Sequence, residues 1–181
     1  MTKSYPPDIT QDTLLGDAQI RMQAYYLKGI HCPLCAQLAK IYPRQLNRGM
    51  AVGAIKLWRW HRHHGTEKFA HLPTVVGRRS AEEAKLRYWG LIEEEMVLRP
   101  DGGRAGYWRL TEAGREWVLG HSSYPPYVMV YDTEPLGPPQ FTDDTTGKTR
   151  DRPVTIRDAL GRKFDYDELM RGEPAGVGDD E

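Results

Sequence analysis

Cys32 and Cys35 are the only cysteines in the chain, and they stand together as the C-x-x-C of HCPLC. Two thiolates so spaced reach one metal ion from a tight turn, and zinc held by sulfur and imidazole is the usual occupant in a reducing compartment. A tetrahedral site needs two further ligands. His31, His61, His63, His64 and His71 are all in the first half of the chain. His61, His64 and His71 are the candidates, because residues three apart share a helix face and His71 sits on the following segment. The first reading is structural zinc on Cys32, Cys35 and two of those three histidines. A pair of reduced, buried thiols is a second reading. A redox pair is a third, weakened by the lack of a surrounding βαβ pattern. The spacing matches no classical finger, and HRHH alone is as readily a solvated helix end.

The elements that must position such residues are legible between residues 45 and 120. Asn47 is placed to cap a helix over 47–64, with Met50, Ala54, Ile55 and Trp58 on one side and Leu57 beside them. The stretch HGTEKFAHLPTVVGRR has room for a short strand at 68–72 and a short helix. Ser80 with Glu83 is a capping box, which starts a helix at Ala81, and Gly90 ends it. A strand-like run from Leu91 through Ile92, Met96 and Leu98 reaches Asp101-Gly102-Gly103 and returns through Tyr107, Trp108 and Leu110, as a β-hairpin. Thr111 caps a closing helix in which Ala113, Trp117 and Val118 face inward.

A helix feeding a two-stranded wing and a closing helix is the winged helix-turn-helix order. The residues LRYWGLIEE and GYWRLTEAGREWV resemble winged-helix repressors of the MarR and PadR type over residues 45–120. The arrangement HCPLC, YPRQLN, LRYWGLIEE and ALGRKFDYDELM also resembles proteins of bacteriophages and prophages that carry no established activity. The resemblance implies an α+β fold: a winged helix-turn-helix core with an N-terminal helix and zinc knuckle, and a C-terminal extension of a strand and short helices. It also implies a recognition helix in the major groove and basic wing residues on phosphates. On this chain those positions are Arg78 and Arg79 before the helix, exposed Lys85 and Tyr88 on it, and Arg99 and Arg104 beside the wing turn. Leu86 and Trp89 point inward. Glu82, and Glu93 to Glu95 at the base of the wing, oppose that role by repelling phosphate.

The charge pattern fits the same reading. The net charge is zero, yet residues 28–90 hold twelve Lys and Arg against three acids, a balance of +9. Residues 121–181 hold seven basic against thirteen acidic residues, a balance of −6. A basic body suits a polyanion, because each cation that meets a phosphate releases counterions.

Outside the core, residues 1–44 read as an N-terminal arm. Its helix, over 12–29, has Leu14, Leu15, Ala18, Met22, Tyr25 and Tyr26 at near-helical spacing, packed on the body or on a second copy. Residues 121–141 supply a strand, Tyr127–Tyr131, which suits a sheet edge and extends the core sheet. Residues 142–154 are a linker. Residues 155–181 form two short helices capped by Thr155 and by Asp165 or Asp167, then an acidic disordered tail. Their apolar set of Ile156, Leu160, Phe164, Leu169 and Met170 must dock elsewhere.

A transcriptional regulator that binds double-stranded DNA, with a homodimer as its candidate state, is the leading function class. A module binding a host protein through Glu93 to Glu95 and the FDYDEL segment is the alternative. No acid-base or nucleophile constellation points to an enzyme. The lack of a long apolar run or a signal-peptide pattern sets the expectation of a cytoplasmic protein, in the host cell if phage-encoded, with no membrane partner.

Overall fold

In a computed structural model the chain is described over residues 3–77, 82–96, 106–137 and 152–172. It mixes helix and sheet in the α+β manner. The order is α1 (Leu15–Gln23), β1 (Ile30–His31), β2 (Leu38–Ala39), β3 (Tyr42–Gln45), α2 (Arg48–His64), β4 (Ala70–His71) and α3 (Leu72–Val76). A 3₁₀ helix (Glu83–Trp89), β5 (Ile92–Glu94), β6 (Tyr107–Leu110) and α4 (Glu112–Val118) follow, then β7 (Tyr127–Tyr131), β8 (Glu134–Gly137), α5 (Ile156–Leu160), a single 3₁₀ turn (Gly161–Lys163) and α6 (Tyr166–Arg171). The described residues fall into two compact units, one of 3–44 with 128–137, the other drawn from 45–127 with 152–172. No helix among the described residues is long and apolar enough to cross a membrane.

The larger unit is built on α2. Asn47 is extended, and its side chain accepts a hydrogen bond from the Met50 amide at 3.1 Å, which starts the helix as expected. Because α3, the 3₁₀ helix, α4, α5, α6 and β6 all pack on it, α2 is buried on more than one side. Leu57 therefore takes an interior place, while Trp58, expected to face inward, is half-buried with the Arg62 guanidinium 5.0 Å from its ring centroid. The sheet runs β4-β6-β5, antiparallel, with β6 central. Strand alternation turns Trp108 and Leu110 into the core. The turn residues Asp101, Gly102 and Gly103 lie outside the described residues, as do Leu98, expected to continue the strand past Met96, and the expected capping residue Ser80.

The segment read as an α-helical recognition element is a 3₁₀ helix of seven residues. Three residues per turn set Glu83, Leu86 and Trp89 in one row, and all three are buried. Glu83, the carboxylate of the expected capping box, is 0 % exposed. Its stem lies against Gly53 of α2, where an added Cβ would overlap Glu83 Cγ. Gly90, at φ 68°, ends the helix in the left-handed region that glycine tolerates. Trp89 donates its Nε1–H to the Pro125 carbonyl at 2.8 Å.

Thr111 caps α4, accepting from the Gly114 amide at 3.0 Å and donating to the Gly90 carbonyl at 2.6 Å. Trp117 and Val118 are fully buried, and Ala113 is half-buried. The C-terminal helices belong to this unit. Thr155 and Asp158 form a capping box, and Asp165 caps α6 by accepting from the Glu168 amide at 2.8 Å. Ile156 and Leu160 are buried. Arg48 donates to the Leu160 carbonyl at 3.1 Å, and Tyr166 donates to the Val118 carbonyl at 2.8 Å. Val154, expected in a linker, pairs with Tyr124 through two backbone bonds of 2.8 and 3.1 Å. Residues 142–151 and 173–181 lie outside the described residues.

In the smaller unit, α1 has nine residues, shorter than the helix expected over 12–29. Ala18 and Met22 are buried, one turn apart, but Leu14 and Leu15 are 74 % and 68 % exposed instead of facing inward. Met22, Ile30 and Ala39 form the core, with Ile9, Tyr25, Tyr26, Cys32 and Tyr131 packed on it. The strand Tyr127–Tyr131 is neither an edge nor part of the β4-β6-β5 sheet. It is central in a second sheet, β3-β7-β8. Asp132 and Thr133, at φ 47° and 68°, make the two-residue turn that brings β8 back along it.

Candidate functional site

The rows of the 3₁₀ helix decide what it presents. With Glu83, Leu86 and Trp89 inward, the threefold period aligns Glu82, Lys85 and Tyr88 in a second row and puts Arg87 in a third. Lys85 and Tyr88, expected to be exposed, are half-buried. Lys85 is ion-paired with Glu82 one turn earlier. The Arg87 guanidinium lies 5.2 Å from the Tyr88 ring centroid. Arg87 was not among the residues singled out by groove geometry on an α-helix; its row exists only at three residues per turn. Arg78, Arg79, Arg99 and Arg104 lie outside the described residues.

The basic stretch is only partly available to a ligand. Lys56 donates to the Val76 carbonyl at 2.8 Å, Arg48 to Leu160 and Arg59 to the Leu169 carbonyl at 3.2 Å. These cations tie helices together. On the β5-β6 ladder, Arg109 of β6 pairs with Glu93 at 2.6 Å and with Glu67 at 3.0 Å, above the Phe69 ring at 4.7 Å. Glu93, one of the acids that opposed a phosphate role, is thereby partnered by a cation. Such half-exposed pairs contribute little stability, about 0–1 kcal/mol each, but they neutralise charge at the β5-β6 ladder.

The three candidate histidines each bond locally. His61 is 2 % exposed, and its Nε2 lies 3.0 Å from the Lys68 carbonyl, so that nitrogen carries the hydrogen and donates it. His64 stacks on Trp60 at 4.2 Å, with Nδ1 2.8 Å from the Trp60 carbonyl. His71 Nδ1 meets the Thr74 hydroxyl at 2.7 Å. Among the described residues no group of three or more His, Cys, Asp or Glu side chains is gathered so that it could hold a metal ion.

Burial holds the His61 imidazole below its ordinary pKa, the Arg115 and Arg109 charges adding to that and the Lys68 carbonyl opposing it. A histidine depressed in the folded state contributes stability that is complete above its unfolded value, about 6.5. That contribution is lost as the pH falls toward the folded value, because only the unfolded chain then takes up the proton. The larger unit is thus expected to lose stability below about pH 6.5, by at most about 1.4 kcal/mol per pH unit from this group. Melting temperatures from pH 8 to 5 check this, with His61→Gln as comparison. An equally steep acid loss in that variant would assign the effect elsewhere.

Cys32 and Cys35 sit in the β1-β2 hairpin. The strands pair Ile30 with Ala39 and His31 with Leu38. The Cys32 amide donates to the Gln37 carbonyl and the Ala36 amide to the Cys32 carbonyl, both at 2.8 Å, and Ala36 takes φ 59° to close the loop. The backbone N–H of Cys35, then that of Leu34, is aimed at the Cys32 sulfur and holds its thiol below the ordinary value, against the opposing effect of burial. Cys35 is exposed, and both thiols are free.

No family model, curated protein or solved structure matches the chain.

Proposed function

We propose that the larger unit is a winged-helix module that binds double-stranded DNA, and that the protein is a transcriptional regulator. The observation that carries this reading is the order α2, β4, α3, 3₁₀ helix, β5, β6, α4 with β6 between β4 and β5, which is the arrangement a winged helix requires. Lys85, Arg87 and Tyr88 supply two cations and a phenol on the element that would meet the groove. Arg78, Arg79, Arg99 and Arg104 stand next to that element and the wing in sequence. The balance of +9 over residues 28–90 supplies the sequence-independent attraction.

A salt series with random-sequence duplex DNA tests the proposal. The full chain is expected to bind with log K falling linearly in log salt, each phosphate contact contributing about −0.9 to the slope. Lys85→Ala/Arg87→Ala is expected to reduce the slope by about 2, with an unchanged melting curve. Absence of binding at low salt would overturn the reading, and an unchanged slope would remove these two residues from the interface.

A second reading, a module that binds a protein partner, is favoured by one observation. Leu14, Leu15 and Ile20, on and beside α1, are all exposed, together with Leu27. Exposed apolar side chains on a partner-binding surface lose contact with water when the partner docks. A chain that ignores DNA at low salt would shift the weight to that surface.

A further inference from the structure

We propose that the smaller unit binds single-stranded nucleic acid, with an unpaired base stacked on Tyr42 and the neighbouring phosphates held by Lys40 and Arg44. The inference does not rest on the duplex reading of the larger unit.

Tyr42 and Arg44 are two apart on β3, so strand alternation puts both side chains on one face. Lys40, in the link between β2 and β3, reaches the same ring. Its Nζ lies 5.7 Å from the Tyr42 ring centroid, and the Arg44 guanidinium carbon lies 5.4 Å from it. Cations within about 6 Å of an aromatic centroid are drawn to the ring's π electrons. The Tyr42 ring is nonetheless 40 % exposed. Lys40 is aimed by its stem, which rests on Gly29, where an added Cβ would stand 2.9 Å from Lys40 Cδ and 3.3 Å from Cγ. Between the two β3 side chains, Pro43 lacks the N–H that a further strand would need, and β3 lies at the edge of its sheet. What β3 offers a ligand is therefore its side chains rather than its backbone.

These three side chains match one ligand chemistry. An aromatic ring stacks on any nucleobase, and cations beside it meet the phosphates, the combination that holds single strands without reading their sequence. The base must be unpaired, because a duplex keeps its bases inside the stack. Stacking of a base on an aromatic ring is stronger than an exposed cation–π contact. An arriving base thus displaces the Lys40 ammonium, and the flexible lysine stem carries that charge to a phosphate. Arg44 presents a planar fork to a second phosphate. Charge favours the same ligand: residues 18–66 contain no Asp or Glu, and Lys28 stands next to Gly29. A second ring continues the track. Ile30 and Ala39 face the core of this unit, so their neighbours His31 and Leu38 turn away from it, and the exposed Tyr5 ring lies 6.0 Å from that of His31.

The test is fluorescence anisotropy of a labelled oligo(dT) of about 12 nucleotides, a length such sites span, titrated with the full chain at low salt. A strand of the same length built on abasic sugars carries the same phosphates and no bases. It is expected to bind about 5- to 150-fold more weakly, the contribution of one stacked base. Tyr42→Ala is expected to weaken oligo(dT) binding over the same range while leaving the abasic strand and duplex DNA unaffected, and Tyr42→Trp is expected to retain it. Lys40→Ala/Arg44→Ala is expected to reduce the slope of log K against log salt by about 1.4, two contacts at about 0.7 each for a single strand. Oligo(U) of the same length assigns the strand: tighter binding than oligo(dT) supports the site with RNA as its ligand, weaker binding supports it with DNA, and equal binding supports it with either. Equal affinity for oligo(dT) and the abasic strand would overturn the stacking site, a comparison that needs only the wild-type chain should a variant misfold. So would oligo(dT) binding that Tyr42→Ala leaves intact, a duplex affinity that falls as far in that variant, or no binding at low salt.

Discussion

Gly114→Ala is expected to destabilise the larger unit by about 3 kcal/mol, although alanine is the better helix former by about 1 kcal/mol. Gly114 lies in the first turn of α4, directly over the start of β5. An added Cβ there would overlap the Leu91 carbonyl oxygen and stand 3.0 Å from both the Leu91 carbonyl carbon and Leu110 Cδ2. The obstacle is backbone, which has no rotamer to change. It is also held by the Thr111 amide, which donates to that same Leu91 carbonyl at 3.1 Å. The helix must therefore move off the sheet, taking the fully buried Trp117 with it. Gly16 of α1 provides the control, because a Cβ there meets nothing within 4 Å. Gly16→Ala is expected to be neutral or stabilising by up to about 1 kcal/mol. Urea denaturation of both variants checks the pair, and equal responses would show that the close approach to Leu91 does not govern the cost.

Ending the chain after Asp144 is expected to abolish cooperative folding of the larger unit. The cut removes Ile156 and Leu160, whose burial against α2 is worth about 1.5–3 kcal/mol each. It also strips Arg48 and Arg59 of the carbonyls they donate to. Arg59 is 8 % exposed, and a buried cation that loses an acceptor is costly to leave in place. Together these losses reach about 5 kcal/mol or more, comparable with the whole stability of a small domain. Soluble yield and the thermal transition of the truncated chain measure this. A transition unchanged from the full chain would show that α5 and α6 are dispensable. Ile156→Ala/Leu160→Ala separates packing from chain length, with an expected cost of about 4 kcal/mol or more.

Caps were the most legible part of the fold. Asn47, Thr111, Thr155 and Asp165 each start a helix where their side chains reach an amide three residues on, a local rule that tertiary packing did not override. Faces were less legible. Leu57 is buried while Trp58, expected on the same side, is half-buried, because α2 is covered from several sides and a single apolar stripe does not describe it. Leu14 and Leu15 have helical spacing but no cover. β8 escaped notice because its turn is Asp132-Thr133, without the glycine that usually marks a left-handed pair. At the candidate interface, Lys85 and Tyr88 could be named, but their half-burial could not, since it follows from a 3₁₀ rather than an α period. Nor does composition say how cations are used: Lys56, Arg48 and Arg59 count toward the basic balance, yet all three hold helix ends.

The packing of α5 on α2 has a consequence for the order in which the protein is made. Arg48 and the Leu160 carbonyl it binds are 112 residues apart, which at about 5–20 residues per second separates their synthesis by roughly 6–22 s. Through that interval the face of α2 destined for Ile156 and Leu160 has no cover from its own chain. The nascent protein therefore passes through a sticky stage whose length is set by translation rate, and anything that slows the ribosome between those two positions lengthens the time in which a holdase chaperone, or another nascent chain, has access to that face.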